Sequence, residues 1–313
     1  SALPFPAAGA ANAPVPAPSA ISIQRTWFAY YDPAPAADGT PREPRGVVLI
    51  MPGLLGTPRG TFELAFAAMR QRGWAVLRML AQPSRFLERT VVVLDADDLE
   101  GTAQRIARDY SERAAECAFA VEAAFDYIES IRPGLASLPR VALGGSGGAM
   151  TLPTVVAREP GRYAAAVMLA GGADLWLITS RSNYADMIGA TALRYRDRAL
   201  TDDEHRRLDE LYLQHAPLDP FHTAKALHGK HVLMLHGAGD RAVPADLGDV
   251  LWERLGRPER WSFPVGHELL FMGLPSQFPR ILDWLDAALP PPGAPPGSAA
   301  PPAPAAPNPE EPR

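Results

Sequence analysis

Residues 141–149 read Val-Ala-Leu-Gly-Gly-Ser-Gly-Gly-Ala, an apolar run that leads directly into the pattern Gly-x-Ser-x-Gly. The residues that follow are compatible with a helix. A strand, a tight turn and a helix in this order are typical of a nucleophile elbow, which exposes a serine at the edge of a sheet. Gly144 and Gly148 fit the elbow, because a side chain at either position would collide with a neighbouring strand or helix. The unpaired amides at the start of the helix would favour negative charge beside Ser146.

The same pattern has simpler interpretations. Gly-x-Ser-x-Gly occurs by chance, and a glycine-rich turn between a strand and a helix can bind phosphate or have no chemical role. The P-loop pattern fails, because no lysine follows Gly147 and Gly148. Ser146 therefore needs partners elsewhere in the chain before it can be interpreted as a nucleophile.

Two later segments supply such partners. Asp240 follows an apolar run in Gly-Ala-Gly-Asp-Arg, and His267 lies in Gly-His-Glu between a short predicted strand and the last helix. An aspartate at a strand end can accept the Nδ1–H of an imidazole and hold the tautomer that a general base needs. Alone, Asp240 could be a turn residue and His267 a surface histidine. The order serine, aspartate, histidine along the chain is specific to one hydrolase architecture. We therefore predict Ser146 as nucleophile, His267 as general base and Asp240 as the acid that orients the base.

Around these motifs, strand-like and helix-like patterns alternate. We predict strands at 47–51, 74–80, 140–143, 165–169, 231–235 and 260–264. We predict helices at 62–72, 111–131, after residue 146, at 245–255 and at 279–289. Continuous apolar strands that alternate with amphipathic helices imply a parallel sheet covered on both faces, so the fold class is α/β.

The alternation is interrupted at 175–224, which is far longer than a simple crossover between two strands. Thr201 and Glu204 form a capping box that opens a helix inside this segment. We predict that residues 175–224 are a small cap inserted above the sheet of a hydrolase domain at 21–289. The Pro- and Ala-rich segment 1–20 and the Pro-rich segment 290–313 are expected to be disordered tails.

Composition narrows the class of function. The 313 residues carry a net charge of −5, and 47% of them are apolar. This charge gives no support to nucleic-acid binding, and no apolar run is long enough to cross a membrane. The single cysteine, Cys117, excludes an intrachain disulfide and is expected to be a packed core thiol. The chain begins at Ser1, as a mature exported protein or a trimmed chain would, and we favour export over a cytoplasmic location. The oligomeric state stays open.

Residues 51–56, Met-Pro-Gly-Leu-Leu-Gly, follow the first predicted strand, where the second amide of an oxyanion hole is expected. We assign that hole to the backbone amides of Leu54 and Gly147. A plain glycine-rich turn is the alternative for the first of these segments.

At this point the chain resembles the α/β-hydrolase family over residues 45–289. Residues 217–220 and 232–244 look like the corresponding segments of esterases, dienelactone-hydrolase-like enzymes and prolyl-oligopeptidase-like peptidases. The resemblance implies an eight-stranded, mostly parallel sheet and acyl transfer through a covalent acyl-enzyme, without a cofactor. The chain has Pro52 where many relatives have a histidine, so a side-chain role for that histidine is absent. Pro153 should bend the helix after Ser146.

The function that these features favour is a carboxylesterase acting on short-to-medium acyl esters of a small-molecule substrate. The alternatives are a peptidase or amidase of the prolyl-oligopeptidase type, which the lack of a propeller-length domain disfavours, and a non-catalytic binding protein that retains the fold. Asp174 is a second candidate for the acid. The candidates for lining an acyl pocket are Trp176, Tyr184 and Met187, each of which could equally be core.

Metal binding is an alternative interpretation of the seven histidines in the sequence. His267-Glu268 lacks the second histidine of the pattern His-Glu-x-x-His. His228 and His231 are close in sequence, but no neighbouring carboxylates complete a ligand set. We therefore expect no metal.

Overall fold

The computed structural model describes residues 25–54, 59–83, 90–184 and 191–289 of the chain. Nine strands occur in these residues: β1 Phe28–Tyr31, β2 Val47–Met51, β3 Ala75–Met79, β4 Thr90–Leu94, β5 Arg140–Gly145, β6 Tyr163–Leu169, β7 Thr191–Tyr195, β8 His231–Gly237 and β9 Glu259–Phe263. The α-helices are α1 Arg59–Gln71, α2 Leu99–Ile131, α3 Gly147–Arg158, α4 Leu175–Arg181, α5 Asp202–His215, α6 Pro220–Thr223, α7 Ala245–Arg254 and α8 His267–Ala288.

Seven of these strands form the central sheet, in the order β1-β3-β2-β5-β6-β8-β9. All neighbours in it are parallel except the edge strand β1, which runs antiparallel to β3. The sheet therefore has one strand fewer, in the described residues, than the eight that the family resemblance implies. Residues 1–24, which precede β1, lie outside the described part of the chain. The predicted α/β class with a mostly parallel sheet is confirmed.

Helices cover both faces of this sheet, which explains why its inner strands carry apolar residues on both faces. On one face α2, α3 and α7 pack on alternate strand residues such as Leu49 and Leu77. On the other face α1 and α8 pack on the intervening residues, such as Val48 and Val76. Burial on both faces removes the polar alternation that marks a half-exposed strand.

Two helices begin well before their predicted starts. α2 begins at Leu99 rather than 111, where the Asp98 side chain accepts a hydrogen bond from the Gly101 amide at 2.8 Å. α8 begins at His267 rather than 279, although Pro275 and Pro279 lie inside it. Its stripe of buried apolar side chains, which runs from Leu270 to Leu285, packs on the sheet and outweighs the two lost helical hydrogen bonds. α3 also passes through its proline, Pro153, as one helix.

A second, smaller layer lies outside the central sheet. Its parallel strands β4 and β7 pair from Thr90↔Thr191 to Leu94↔Tyr195. The first turns of α2 pack against α5 beside them, with the rings of Tyr110 and Tyr212 edge to face at 6.1 Å. Residues 191–215 of the predicted cap segment are thus built together with residues 90–110, a second insertion that the sequence patterns did not indicate. We call residues 90–110, 175–184 and 191–224 together the cap layer.

Candidate active site

Ser146 occupies a strained turn between β5 and α3. Its backbone has φ +50° and ψ −118°, in a region that side-chain-bearing residues rarely adopt. The conformation is held by hydrogen bonds on both sides: the Ser146 amide donates to the Leu169 carbonyl at 2.8 Å, and the Met150 amide donates to the Ser146 carbonyl at 3.0 Å. The turn projects the Ser146 side chain from the carboxyl edge of the sheet.

The glycines beside Ser146 are required by close packing. A Cβ atom at Gly144 would lie 2.6 Å from the Gly148 carbonyl oxygen, and one at Gly148 would lie 2.3 Å from the carbonyl oxygen of Met51. Both distances are shorter than any real Cβ contact, and both partners are backbone atoms that a side-chain rotation cannot move. The predicted collisions at these two positions are therefore confirmed.

His267 links Ser146 to Asp240. The His267 Nε2 atom lies 3.0 Å from Ser146 Oγ, and Nδ1 lies 2.6 Å from Asp240 Oδ2. Asp240 and His267 are buried. The structure thus brings together, from the ends of three different strands, the three residues that the sequence order associates.

The second carboxylate oxygen of Asp240 is also fixed. Oδ1 accepts hydrogen bonds from the amides of Ala242 and Val243, both at 2.9 Å. The carboxylate therefore cannot rotate without losing contacts on both oxygens, and its orientation toward the imidazole is set by the backbone of its own loop.

Two aromatic rings enclose the imidazole of His267. The Tyr184 ring meets it edge to face at 5.8 Å, and the Phe271 ring lies at 5.1 Å with an interplanar angle of 54°. The Tyr184 hydroxyl donates a hydrogen bond to the Glu268 carboxylate. Burial, followed by this hydrogen bond, raises the pKa of Tyr184, and the same bond lowers the pKa of Glu268. Glu268 is therefore an anion, and Tyr184 a neutral phenol, at neutral pH.

The loop after β2 passes directly beside Ser146. A Cβ atom at Gly53 would lie 3.3 Å from Ser146 Cβ, so Leu54 follows at the edge of the same site. Gly147 is the first residue of α3, where helical amides have no partner within the helix. The buried Gln82 side chain holds this loop, since its Nε2 donates to the Pro52 carbonyl at 2.6 Å. The Gln82 Oε1 atom in turn accepts from Cys117 Sγ at 3.1 Å.

Asp174, the alternative acid, lies in a different set of contacts. It caps α4 by accepting a hydrogen bond from the Leu177 amide at 2.9 Å, and its backbone has φ +67°. Burial, followed by interaction with Asp209, raises the pKa of Asp174. Asp219 accepts hydrogen bonds from the amides of Asp174 and Leu175 and from the Tyr212 hydroxyl. Asp174 therefore joins the base of the cap layer to the sheet, while Asp240 contacts His267.

The three predicted pocket residues have different positions. Trp176 is 1% exposed and packs in the apolar core of the cap layer, so it offers almost no surface to a substrate, contrary to its predicted role. Tyr184 is half-buried beside His267. Met187 lies outside the described residues.

The described residues contain no group of three or more His, Cys, Asp or Glu side chains that could hold a metal ion. None of the helices in that part of the chain is both long and apolar enough to span a membrane.

The chain matches no known protein family model, and no curated protein matches its sequence. Solved structures do match. An acylaminoacyl peptidase from Pyrococcus horikoshii is 13% identical with a TM-score of 0.56, over 84% of this chain and 39% of that one. A puromycin-hydrolysing peptidase from Mycobacterium tuberculosis is 17% identical with a TM-score of 0.53, over 84% and 37%. The protein has the α/β-hydrolase fold. It spans about two fifths of the length of these two peptidases.

Within this fold, two contacts of the site were missed by sequence reasoning. Gln82 lies three residues after the end of β3, and a polar residue just beyond the carboxyl end of a strand of the central sheet is a signal that could have identified it. The contact between His267 and Phe271 becomes visible only once α8 is known to begin at His267, because residues four apart share a helical face.

Proposed function

We propose that the chain is a serine hydrolase that cleaves carboxylic esters, with Ser146 as nucleophile, His267 as general base and Asp240 as the acid that orients the base. The single observation that carries this proposal is the pair of hydrogen bonds of His267, at 3.0 Å to Ser146 and 2.6 Å to Asp240. Both distances are within the reach that proton transfer requires.

In this reaction the Ser146 hydroxyl attacks the ester carbonyl as its proton passes to His267 Nε2. The imidazolium then gives that proton to the leaving alcohol as the carbon–oxygen bond breaks, which leaves an acyl group on Ser146. Water attacks the acyl-enzyme by the same route in reverse, giving one of its protons to His267 and releasing the acid. Asp240 stabilises the imidazolium throughout, while both of its oxygens stay hydrogen-bonded.

The negative oxygen of the tetrahedral intermediate needs two donors. We assign them to the amides of Leu54 and Gly147, which come from the two segments that meet beside Ser146. Backbone amides suit this role because they are held in place before the charge develops and need no reorganisation.

We propose short-to-medium acyl chains because the cap side of the site is apolar. Met150, one turn after Ser146, and Val243, beside Asp240, belong to the same apolar cluster as Leu175 and Ile178 of α4. Each additional buried methylene gains about 0.8 kcal/mol until the available space is filled. The rate should therefore peak at an intermediate acyl length.

Covalent labelling by a fluorophosphonate tests the nucleophile. The wild-type protein should be labelled, Ser146→Ala should not, and Ser276→Ala, which removes an exposed serine on α8, should be labelled normally. Labelling of Ser146→Ala would show that another residue reacts. Loss of the nucleophile should lower kcat by a factor of about 10⁶.

A series of p-nitrophenyl esters from acetate upward, assayed beside a peptide amide, tests the substrate class. We expect kcat/KM to pass through a maximum along the series and the amide to be turned over far more slowly. Cleavage of the amide at rates like those of the esters would favour the peptidase alternative. A protein that neither labels nor turns over any ester would be the non-catalytic alternative.

A further inference from the structure

Glu268 places a negative charge next to the proposed base, and no cation in the described part of the chain forms an ion pair with it. It directly follows His267, its side chain is exposed, and it takes part in none of the ion pairs found among the described residues. By contrast Asp246, an exposed carboxylate on α7, is paired with Arg181 through two contacts at 2.7 and 2.9 Å. Among the described residues, Glu268 is therefore a carboxylate beside His267 without a cationic partner.

The Tyr184 side chain gives this charge a defined place. Its hydroxyl donates to the Glu268 carboxylate while its ring packs against the imidazole of His267. The Asn183 amide, in turn, donates to the Arg241 carbonyl at 3.0 Å, which ties the same segment to the loop of Asp240. Tyr184 and Glu268 thus present an aromatic ring and a carboxylate together beside His267. We call them the Tyr184–Glu268 pair.

The position of this pair relative to His267 indicates which part of a substrate it would meet. In the proposed reaction His267 gives its proton to the leaving group, so the leaving alcohol must lie against the imidazole. On the proposed oxyanion assignment, the carbonyl oxygen binds to the amides of Leu54 and Gly147, which belong to other segments of the site than Tyr184 and Glu268. The pair therefore faces the leaving group, and the acyl chain lies farther from it.

We propose that Glu268, together with Tyr184, is a specificity-determining residue that favours esters whose leaving alcohol carries an ammonium group. This inference rests on the proposed function. A carboxylate attracts such a group through space, and an aromatic ring beside it adds a cation–π contact. Anionic leaving groups are disfavoured by the same charge. Because Glu268 is exposed, the preference is modest and decreases with salt.

Three butyrate esters separate charge from shape. The leaving alcohols are choline, its neutral isostere 3,3-dimethylbutanol, and an alcohol of similar size that bears a carboxylate. The measured quantity is the ratio of kcat/KM for the cationic ester to that for the neutral ester, in the wild type, Glu268→Gln, Tyr184→Leu and Asp126→Asn. Asp126 is an exposed carboxylate on α2, so its variant makes the same charge change away from the site.

In Glu268→Gln we expect the cation-to-neutral ratio to fall about two- to fivefold, the size of an exposed charge interaction. The ratio for the anionic ester should rise, Tyr184→Leu should also lower the cationic ratio, and Asp126→Asn should leave both ratios unchanged. Added salt should reduce the wild-type preference but not the ratio in Glu268→Gln.

A fourth ester carries the trimethylammonium group on the acyl chain and has a neutral leaving group. It tests whether Glu268 acts on the leaving-group side of the substrate or on the acyl side. Its rate should respond less to Glu268→Gln than that of the choline ester. An equal response would overturn the assignment to the leaving-group side, and an unchanged choline ratio would overturn the role of Glu268. Both outcomes leave ester turnover and Ser146 labelling intact, whereas failure of the proposed function would remove both.

Discussion

The two carboxylate oxygens of Asp240 have separate partners. Asp240→Asn replaces one of these oxygens with an NH₂ group, so its effect depends on which partner that group meets. Asp240→Asn keeps an acceptor for the amides of Ala242 and Val243, but only by presenting its NH₂ group to His267 Nδ1. The imidazole is then held in the wrong tautomer, and kcat should fall by a factor of about 10⁴.

The matched variant is Asp174→Asn. Because Asp174 contacts Leu177 and Asp209 rather than His267, its substitution should change kcat by less than about tenfold at neutral pH. Steady-state rates of both variants on one ester decide between the acids. If Asp174→Asn lost nearly all activity while Asp240→Asn stayed active, Asp174 rather than Asp240 would be the acid.

Gln82 is the second residue with a defined task. Gln82→Leu leaves the Pro52 carbonyl without its donor, so the loop that presents Leu54 should lose its position. We expect kcat to fall about 10- to 100-fold with little change in KM, less than the 10²–10³ that follows complete removal of an oxyanion donor. Cys117→Ala, which removes only the thiol beyond Gln82, should change kcat much less. A rise in KM at constant kcat would contradict this role.

The sequence singled out Ser146, Asp240 and His267, which the structure brings together, because each lies in a short motif after an apolar strand, where local spacing is informative. Gln82 and the Tyr184–Glu268 pair carry no such motif. Their contacts join residues that are 30 and 84 positions apart in the chain, so the partner of each residue is seen only in the folded arrangement.

At the scale of elements, the prediction was sound for the central strands and weak for the cap layer. Strands buried on both faces are continuous apolar runs, and they were found with boundaries close to those observed. β4 and the first turns of α2 were missed. Val91 and Val93 of β4 are exposed, so its pairing with β7 follows from a partner about 100 residues away rather than from local burial.

The junction between α4 and α5 should make stability depend on pH. Since burial and Asp209 raise the pKa of Asp174, the folded protein keeps a proton that the unfolded chain releases above about pH 4. The folded state binds more protons, so the free energy of unfolding falls as pH rises toward the raised pKa, by at most about 1.4 kcal/mol per pH unit.

Asp174→Asn removes this proton and keeps the acceptor for the Leu177 amide. Urea denaturation between pH 5 and 8.5 should give a flatter pH dependence for the variant than for the wild type, with the variant gaining relative stability as pH rises. Asp126→Asn is the control, because its carboxylate is exposed. Parallel curves for Asp174→Asn and the wild type would show that Asp174 titrates normally.

At the scale of the whole molecule, the domain predicted at 21–289 contains every described contact, while the predicted tails lie outside the described residues. The Pro- and Ala-rich composition of 1–20 and of 291–313 offers little apolar surface to bury. Deletion of both segments should leave the melting temperature within about 2 °C and ester turnover nearly unchanged. The two single deletions, compared by thermal unfolding, would identify a tail that does pack on the domain.

The pairing of β4 with β7 has a consequence for the growing polypeptide. β4 leaves the ribosome before its partner β7. Between the two, β5 and the turn that carries Ser146 are synthesised. Domains fold largely as they are synthesised, at about 5–20 residues per second. The β4–β7 pair can therefore form several seconds before Asp240 and His267 emerge. On this schedule the outer strands would pair before the proposed triad of Ser146, Asp240 and His267 is complete, and a nascent chain would finish the proposed active site only as its last helix is made.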